Sequence, residues 1–234
     1  MTEPKGRGAD WTQERGTSVG GAPEAQGKLG PVHLRDTPER WPVVSSAVQA
    51  RGPIVTLRTD RVQMPDHEAA DRQVVEHPGA VAIVALDEAA RVLMIRQYRH
   101  PVAHRLWELP AGLRDVTGEP PRLTAERELL EETGYQARDW QILVDFYSSP
   151  GISTESIRVF LARDLTAVPA AQRDFVPKHE ETQLQIGWVG LDDARAAFMA
   201  GELHNGVAAV GILSAYAARA SDFAGLRPAG AGDG

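Results

Sequence analysis

The alternation of apolar and polar residues predicts a chain in which strands come first and helices are inserted among and after them. Strands are predicted at 54–64, 72–77, 79–86, 92–98 and 106–109, and then at 141–147, 156–164 and 184–188. Helices are predicted at 121–133, 192–199 and 205–220. Pro121 at the start of the first helix and Gly134 after its end are favoured residues at these positions. This order predicts an α+β fold with one helix between strands.

The two ends of the chain lack this periodicity. Residues 1–40 contain seven glycines and four prolines among mixed charges, which predicts a disordered N-terminal arm. Residues 224–234 are similar in composition and predict a flexible tail. The folded domain is therefore expected at 41–223, with a β-rich segment at 54–77 and a long loop at 166–182.

The composition of the 234 residues narrows the classes of protein. There is no cysteine, which excludes disulfides, cysteine-ligated zinc and a cysteine nucleophile. A net charge of −7 and the lack of a Lys/Arg-rich run argue against nucleic acid as a partner. No apolar run is long enough to span a membrane, and the N-terminus lacks an apolar signal core, so a cytoplasmic protein is expected. An anionic substrate would require a recruited cation, such as a metal ion.

Acidic residues in the first predicted helix indicate metal chemistry. On a helix, Glu128, Glu131 and Glu132 fall within an arc of about 100°. Three carboxylates on one face repel one another unless a cation lies between them, and Mg²⁺ binds carboxylates together with substrate phosphates. Arg127 lies inside this cluster and can orient carboxylates through bidentate bonds. The alternative is a solvated helix face, but the preceding strand and glycine-containing loop favour the metal site.

The stretch 112–135 resembles the Nudix box. Its pattern is present as Gly112, a short spacer, Glu119, seven residues and the run Arg-Glu-Leu-Leu-Glu-Glu-Thr-Gly. One departure is the spacer between Gly112 and Glu119, which holds six residues instead of five and implies a slightly longer loop before the helix. The resemblance implies the Nudix fold, a mixed β-sheet sandwiched between helices, over about 42–222.

Further segments resemble one group of this family, the ADP-ribose pyrophosphatases, especially their actinobacterial members. Residues 107–112 look like the segment that enters the box in that group. Pro150 follows Gly134 by sixteen residues, at the place where that group carries a proline. Residues 72–86 and 97–100 are similar as well. The implied reaction is hydrolysis of ADP-ribose to AMP and ribose 5-phosphate.

The resemblance also implies a metal site for Mg²⁺ or Mn²⁺. Glu128 and Glu132 would be the main ligands and Glu131 a supporting one. The carbonyl oxygen of Ala111 would contribute a further ligand.

Two other roles at the reaction centre follow from the resemblance. Arg127 and Glu119 would position the helix and its loop rather than touch the metal. The general base would be Glu181, or its neighbour Glu180, in the loop before the last strand. A solvated His-Glu-Glu run is the alternative interpretation of these two residues.

Candidate residues for phosphate and ribose come from two places. Arg99 would contact a phosphate or the terminal ribose, because a guanidinium matches phosphate oxygens, or it would form a surface ion pair. Ser153 and Glu155 follow a Pro-Gly pair and would border the ribose, with an ordinary turn as the alternative.

The candidate residue for adenine is Glu76, at the end of a predicted strand. It resembles the position that reads adenine in relatives, where a carboxylate accepts from the exocyclic amine. The alternative is a buried partner for Arg72 or His77.

Two other functions stay open at this point. One is a pyrophosphatase for another nucleoside diphosphate sugar. The other is a non-catalytic ADP-ribose sensor that regulates transcription, although all box carboxylates are present and the residues after Trp188 are few and acidic. Members of this group form homodimers in which N-terminal strands of one subunit help to build the other's site. Segment 54–77 would suit that role.

Overall fold

The computed structural model describes residues 34–173 and 183–232 of the 234-residue chain. Residues 34–40 have no regular secondary structure, while residues 1–33 of the predicted arm lie outside the described residues. The chain from Trp41 onward forms a compact unit of its own. All the strands and helices given below belong to this unit.

Three antiparallel strands form a small sheet at the start of this unit. They are Val43–Arg51 (β1), Thr56–Gln63 (β2) and Ala69–Glu76 (β3), in the order β1-β2-β3. Every residue of β1 is exposed. This strand therefore lies outside the hydrophobic core.

Two further sheets carry the remaining strands. In the first, Arg91–Arg99 (β5) lies between His104–Glu108 (β6) and Gln185–Gly190 (β10), antiparallel to both. The second has five strands, in spatial order Arg227–Pro228 (β11), Tyr135–Tyr147 (β8), Ser156–Ala167 (β9), Ala80–Ala85 (β4) and Ala111–Leu113 (β7). It is a mixed sheet, because β4 and β9 are parallel while the other neighbours are antiparallel.

The helices follow the signals in the sequence. Pro121–Thr133 (α1) begins at a proline, since the first turn does not use that N–H, and it ends at Gly134, whose φ is 73°. Leu191–Met199 (α2) and Gly206–Arg219 (α3) come later, and the Asn205 side chain caps α3. No helix in the described part of the chain is long and apolar enough to cross a membrane.

Helices cover both faces of the five-stranded sheet. Successive strand residues point to opposite faces, and residues 81–84 of β4 are completely buried. On one face they pack in a cluster with Ala125 and Leu129 of α1. On the other face they pack with Leu191 of α2 and Ile212 of α3. The predicted α+β fold, a mixed sheet between helices, is confirmed.

Several strand boundaries differ from the sequence-based expectation. Neither β1 nor β7 is predicted, because β1 is exposed throughout and β7 has only three residues. β8 begins at Tyr135 instead of residue 141, since its polar first half pairs with the end of β9. β9 in turn extends to Ala167, inside the predicted loop.

The C-terminal residues also differ from the flexible tail predicted over 224–234. β11 pairs with β8 in an antiparallel arrangement. Arg158, whose side chain is 4% exposed, donates to the carbonyl oxygens of Ala231 (2.9 Å) and Gly232 (3.1 Å). Composition could not indicate this, because the tail is held through its backbone oxygens.

A chain that ends at Leu226 is expected to unfold at a lower temperature than the full chain. The truncation removes β11, the ion pair of Arg227 with Asp145 and the two carbonyl acceptors of Arg158. One hydrogen bond to a charged group contributes about 1.5–3 kcal/mol, which lowers the melting temperature of a domain of this length by about 3–12 °C, and the full truncation is expected to lower it by more. The matched control ends at Gly232 and keeps both acceptors. Calorimetry giving equal melting temperatures for the two truncations would contradict this account of the tail.

Candidate active site

The side chain of Glu128 lies between α1 and the short strand β7. A Cβ atom on Gly112 of β7 would overlap the Glu128 carboxylate, so this position must be glycine. The Glu128 side chain is 15% exposed, and its burial raises the pKa to about 7. The positive charge of Arg127 opposes that rise, while the negative charge of Glu131 adds to it.

Glu132 lies one turn further along α1 and is also held by β7. Its Oε2 accepts the N–H of Ala111 at 3.0 Å. Although part of the residue is accessible to solvent, burial of the carboxylate raises the pKa of Glu132 to about 8. The charges of Glu128 and Glu108 act in the same direction. Two carboxylates perturbed in this way at one place identify a candidate functional site.

Arg127 is surrounded by three carboxylates. Its Nη1 lies 2.6 Å from Glu128 Oε1 and 3.3 Å from Glu131 Oε2, and its Nη2 lies 3.7 Å from Glu119 Oε2. Burial disfavours the charged guanidinium, but the three carboxylates outweigh this and raise the pKa of Arg127. Glu119 also accepts a hydrogen bond from the Thr124 hydroxyl at 2.8 Å. The structure therefore brings together the charged residues that the sequence analysis grouped.

A buried glutamate that the sequence analysis did not single out, Glu108, lies beside this group. It is 3% exposed and accepts from Arg99 Nε (2.9 Å) and Arg99 Nη2 (2.7 Å), and from the Gln97 amide (3.1 Å). The charge of Arg99 lowers the pKa of Glu132, while the charge of Glu108 raises it. The signal in the sequence is a carboxylate between two apolar residues, but that pattern is equally typical of a solvent-facing strand position.

A second group of predicted residues lies at the end of β3. Ser153 forms an isolated parallel bridge with Val75 of this strand. The Ser153 hydroxyl accepts the N–H of Glu155 at 3.1 Å, and Glu155 Oε1 lies 3.6 Å from His77 Nε2. Ser153 and Glu155 thus lie beside the strand that ends at Glu76.

Glu76 has an ion-pair partner that the sequence did not indicate. Its Oε1 lies 2.9 Å from Nε of Arg58 on β2, and Arg58 also pairs with the buried Asp60. The alternative in which Glu76 is a buried partner of Arg72 or His77 is therefore wrong. The pairing follows from strand register, which local sequence does not determine.

The carboxylates of α1 fit a divalent cation. Such ions bind oxygen ligands, which are provided here by the carboxylates of Glu128, Glu131 and Glu132. The Glu128 carboxylate lies in the space that a side chain at Gly112 would occupy. Burying carboxylates is unfavourable unless a positive charge compensates them. In the described part of the chain no three Asp, Glu or His side chains form a ready ligand cluster. Glu128 and Glu131 here pair with Arg127, so cation binding would change these contacts.

The predicted general base lies outside the described residues. Glu180 and Glu181 both fall within 174–182. The described residues on either side of this segment are Arg173 and Gln183, and Gln183 accepts a hydrogen bond from Arg105 of β6.

Comparison with known proteins agrees with this fold. The family model of the NUDIX domain matches residues 76–209, a span that contains α1, β7 and the strands around them. The chain belongs to the Nudix family and is a Nudix hydrolase, a class of enzyme that generally uses divalent metal ions.

Particular relatives extend over most of the chain. The chain is 47% identical over 185 residues to the ADP-ribose pyrophosphatase of Mycobacterium tuberculosis, covering 79% of this chain and 87% of that protein. It is 36% identical over 143 residues to the ADP-ribose pyrophosphatase of Bacillus subtilis, covering 61% and 75%. A crystal structure of an ADP compounds hydrolase aligns with a TM-score of 0.66 at 18% identity, over 80% of this chain and 99% of that one, which shows a shared fold.

Glu132→Gln is expected to raise the melting temperature of the protein in a metal chelator. The amide keeps an oxygen that accepts from the Ala111 N–H and never ionises, whereas the carboxyl, whose pKa is raised to about 8, must take up a proton on folding at neutral pH or bury a charge. Relief of about 1–2 kcal/mol corresponds to a rise of about 2–8 °C. The matched control is Glu131→Gln, because Glu131 is paired with Arg127 on the same helix. If calorimetry shows no rise for Glu132→Gln, or the same rise for both variants, burial of Glu132 is not the cause.

Proposed function

We propose that this chain is a metal-dependent hydrolase that cleaves ADP-ribose to AMP and ribose 5-phosphate. The observation that carries the proposal is the pair of partly buried carboxylates, Glu128 and Glu132, held against β7. An anionic pyrophosphate cannot approach this pair without a cation, and hard cations bind carboxylate and phosphate oxygens together. The two relatives named as ADP-ribose pyrophosphatases support ADP-ribose as the substrate.

The proposed metal ligands are Glu128 and Glu132, with Glu131 and the carbonyl oxygen of Ala111 in support. When bound, Mg²⁺ or Mn²⁺ would neutralise the pyrophosphate and lower the pKa of water. Arg127 orients Glu128 and Glu131, and its charge limits the repulsion between them.

The proposed general base is Glu181, with Glu180 as the alternative. It would accept the proton of the attacking water, a role that requires hydrogen-bond reach of that water. The support is its place in the sequence before β10, which matches the position of a glutamate in the family. Glu119, held by Thr124, would keep the loop before α1 in place.

The substrate would bind through both groups of polar residues. The Arg99 side chain is about half exposed, and its guanidinium forms an ion pair with the buried Glu108. The exposed part of the guanidinium would contact a phosphate of the substrate. Glu76, at the end of β3, would accept from the adenine amine, and Ser153 and Glu155 would border a ribose.

The proposal is tested by incubating the purified chain with ADP-ribose, with and without Mg²⁺ or Mn²⁺. Nucleotide sugars, NADH and diadenosine polyphosphates serve as competing substrates, and chromatography identifies the products. AMP and ribose 5-phosphate formed only with metal, and fastest from ADP-ribose, are expected. Preferential cleavage of another diphosphate would contradict the substrate. Binding of ADP-ribose without cleavage would instead favour the sensor.

Two substitutions test the site, with turnover as the measurement. Glu132→Gln is expected to reduce kcat by orders of magnitude because it removes a ligand. Glu181→Gln is expected to reduce kcat about 10²–10⁴-fold, with little change in substrate affinity, because it removes a base. Glu126→Gln is the matched control on α1, since Glu126 pairs with Arg122 away from the acidic cluster. Full activity of Glu132→Gln would contradict the metal site, and a larger loss in Glu180→Gln would exchange the two base candidates.

We also propose that the protein is a homodimer whose contact includes β1. All nine residues of this strand are exposed. The exposed large apolar residues on β1 and its flanks are Trp41, Val43, Val44, Val48, Ile54 and Val55. Exposed large apolar side chains grouped in one segment are typical of protein contact surfaces, and a second copy would cover them as the family resemblance implies.

Val44→Lys is expected to shift the protein from dimer to monomer in sedimentation measurements. Val44 is 61% exposed, so a lysine is tolerated in the isolated subunit but not in an apolar contact. Met199→Lys on α2, where the methionine is 69% exposed, is the matched control. A monomeric wild type, or dimers of unchanged stability in both variants, would contradict this interface.

A further inference from the structure

The turn between β3 and β4 carries a histidine, His77, whose side chain is only 12% exposed. Its Nδ1 accepts the N–H of Gly79, two residues further along the turn, at 3.1 Å. A backbone N–H can only donate, so Nδ1 carries no hydrogen and the hydrogen of the ring lies on Nε2. The turn therefore determines both the orientation of the ring and the nitrogen from which it can donate.

The Nε2 of His77 faces the carboxylate of Glu155. The distance from Nε2 to Glu155 Oε1 is 3.6 Å, so the N–H attracts this oxygen without forming a short hydrogen bond. The other oxygen, Oε2, accepts the hydroxyl of Ser148, just after β8. One donor thus lies at each oxygen of the carboxylate. The Glu155 side chain is 27% exposed, which leaves part of it open to a ligand.

Backbone contacts join the loop that carries Glu155 to the end of β3 independently of the histidine ring. The N–H of His77 donates to the Thr154 hydroxyl at 2.9 Å. Val75 accepts the N–H of Thr154 at 3.0 Å and donates to the carbonyl oxygen of Ile152 at 2.8 Å. Because these bonds do not use the ring, a change of the His77 side chain acts mainly on the side chain of Glu155.

The same loop borders a cavity of the size of a small ligand. The cavity has a volume of about 590 Å³ and is lined by Gly151 and Ile152 of the loop and by residues 71–73 of β3. Pockets for small ligands typically measure roughly 300–1,000 Å³. The loop that precedes Glu155 is therefore one wall of a space that a ligand can enter.

We propose that His77 is a positioning residue that orients the Glu155 carboxylate toward a ribose hydroxyl of the substrate. The inference rests on the proposed function, in which Glu155 borders the ribose. A carboxylate held only by Ser148 can still turn its second oxygen, and the Nε2–H of His77 restrains that oxygen. A group that is already oriented loses less conformational entropy when the substrate binds.

His77→Asn is expected to raise KM for ADP-ribose about fivefold, with kcat within about twofold, because it disturbs a substrate contact and no metal ligand. The amide oxygen of asparagine can replace Nδ1 as the acceptor for Gly79, while nothing replaces Nε2. His77→Gln is expected to recover part of the change in KM, since its amide N–H reaches as far as Nε2 and can donate to Glu155. A larger rise in KM for His77→Gln than for His77→Asn would overturn the proposal, because it would make the contact with Gly79 the important one.

The matched control is His204→Asn, since His204 is exposed in the connection between α2 and α3. This variant is expected to keep the KM of the wild type. In the double variant His77→Asn/Glu155→Ala, KM should be no higher than in Glu155→Ala alone, since His77 acts through Glu155. An unchanged KM in His77→Asn, an equal rise in His204→Asn, or rises that multiply fully in the double variant would overturn the proposal.

Nitrogen NMR of the histidine rings detects the same contact without any substrate. The signals of His77 are those that disappear in His77→Asn. The ring is expected to carry its hydrogen on Nε2, and the Nε2 resonance is expected to shift in Glu155→Ala but not in Glu126→Gln on α1. A hydrogen on Nδ1, or an unchanged Nε2 resonance in Glu155→Ala, would overturn the proposal. A wild type that cleaves no ADP-ribose would refute the proposed function, while the NMR result would still decide whether His77 holds Glu155.

Discussion

The contact between the Glu128 carboxylate and the bare Cα of Gly112 is the constraint on which the rest of the site depends. Glu132, one turn further along α1, accepts the N–H of Ala111 from the same strand as Gly112. Burial raises the pKa values of both carboxylates. A side chain at 112 would displace the Glu128 carboxylate from the place where it now lies. The position of this carboxylate therefore depends on the missing side chain of Gly112.

This arrangement favours function over the stability of the isolated helix. Acidic residues near a helix C-terminus oppose the helix dipole, and α1 carries Glu131 and Glu132 there. The buried residues of α1 are few: Thr124, Ala125, Leu129 and Thr133. The helix is held in place by packing against the buried residues of β4 and by ion pairs around Arg127. Residues that destabilise the local secondary structure, such as acidic residues at a helix C-terminus, are typical of functional sites.

Sequence reasoning succeeded where the information is local. The bounds of α1 follow from Pro121 and Gly134, and the grouping of Glu128, Glu131 and Glu132 follows from helix spacing. It missed β11, the pairing of Glu76 with Arg58 and the role of Glu108. Each of these features is a contact between residues on two different strands, and the local sequence does not determine which strands pair. Alternation identifies the face of a strand, but the neighbouring elements determine whether that face meets solvent or a buried site.

The two glycines that bound the box segment have the same physical explanation. At Gly112 a carboxylate from the helix lies where a side chain would be, and at Gly134 a guanidinium from a later loop does. Both contacts join α1 to a neighbouring part of the chain, one to the strand before it and one to the loop after β9. A side chain at either glycine would displace the charged group that now lies there, and the glutamates proposed as metal ligands lie between the two glycines.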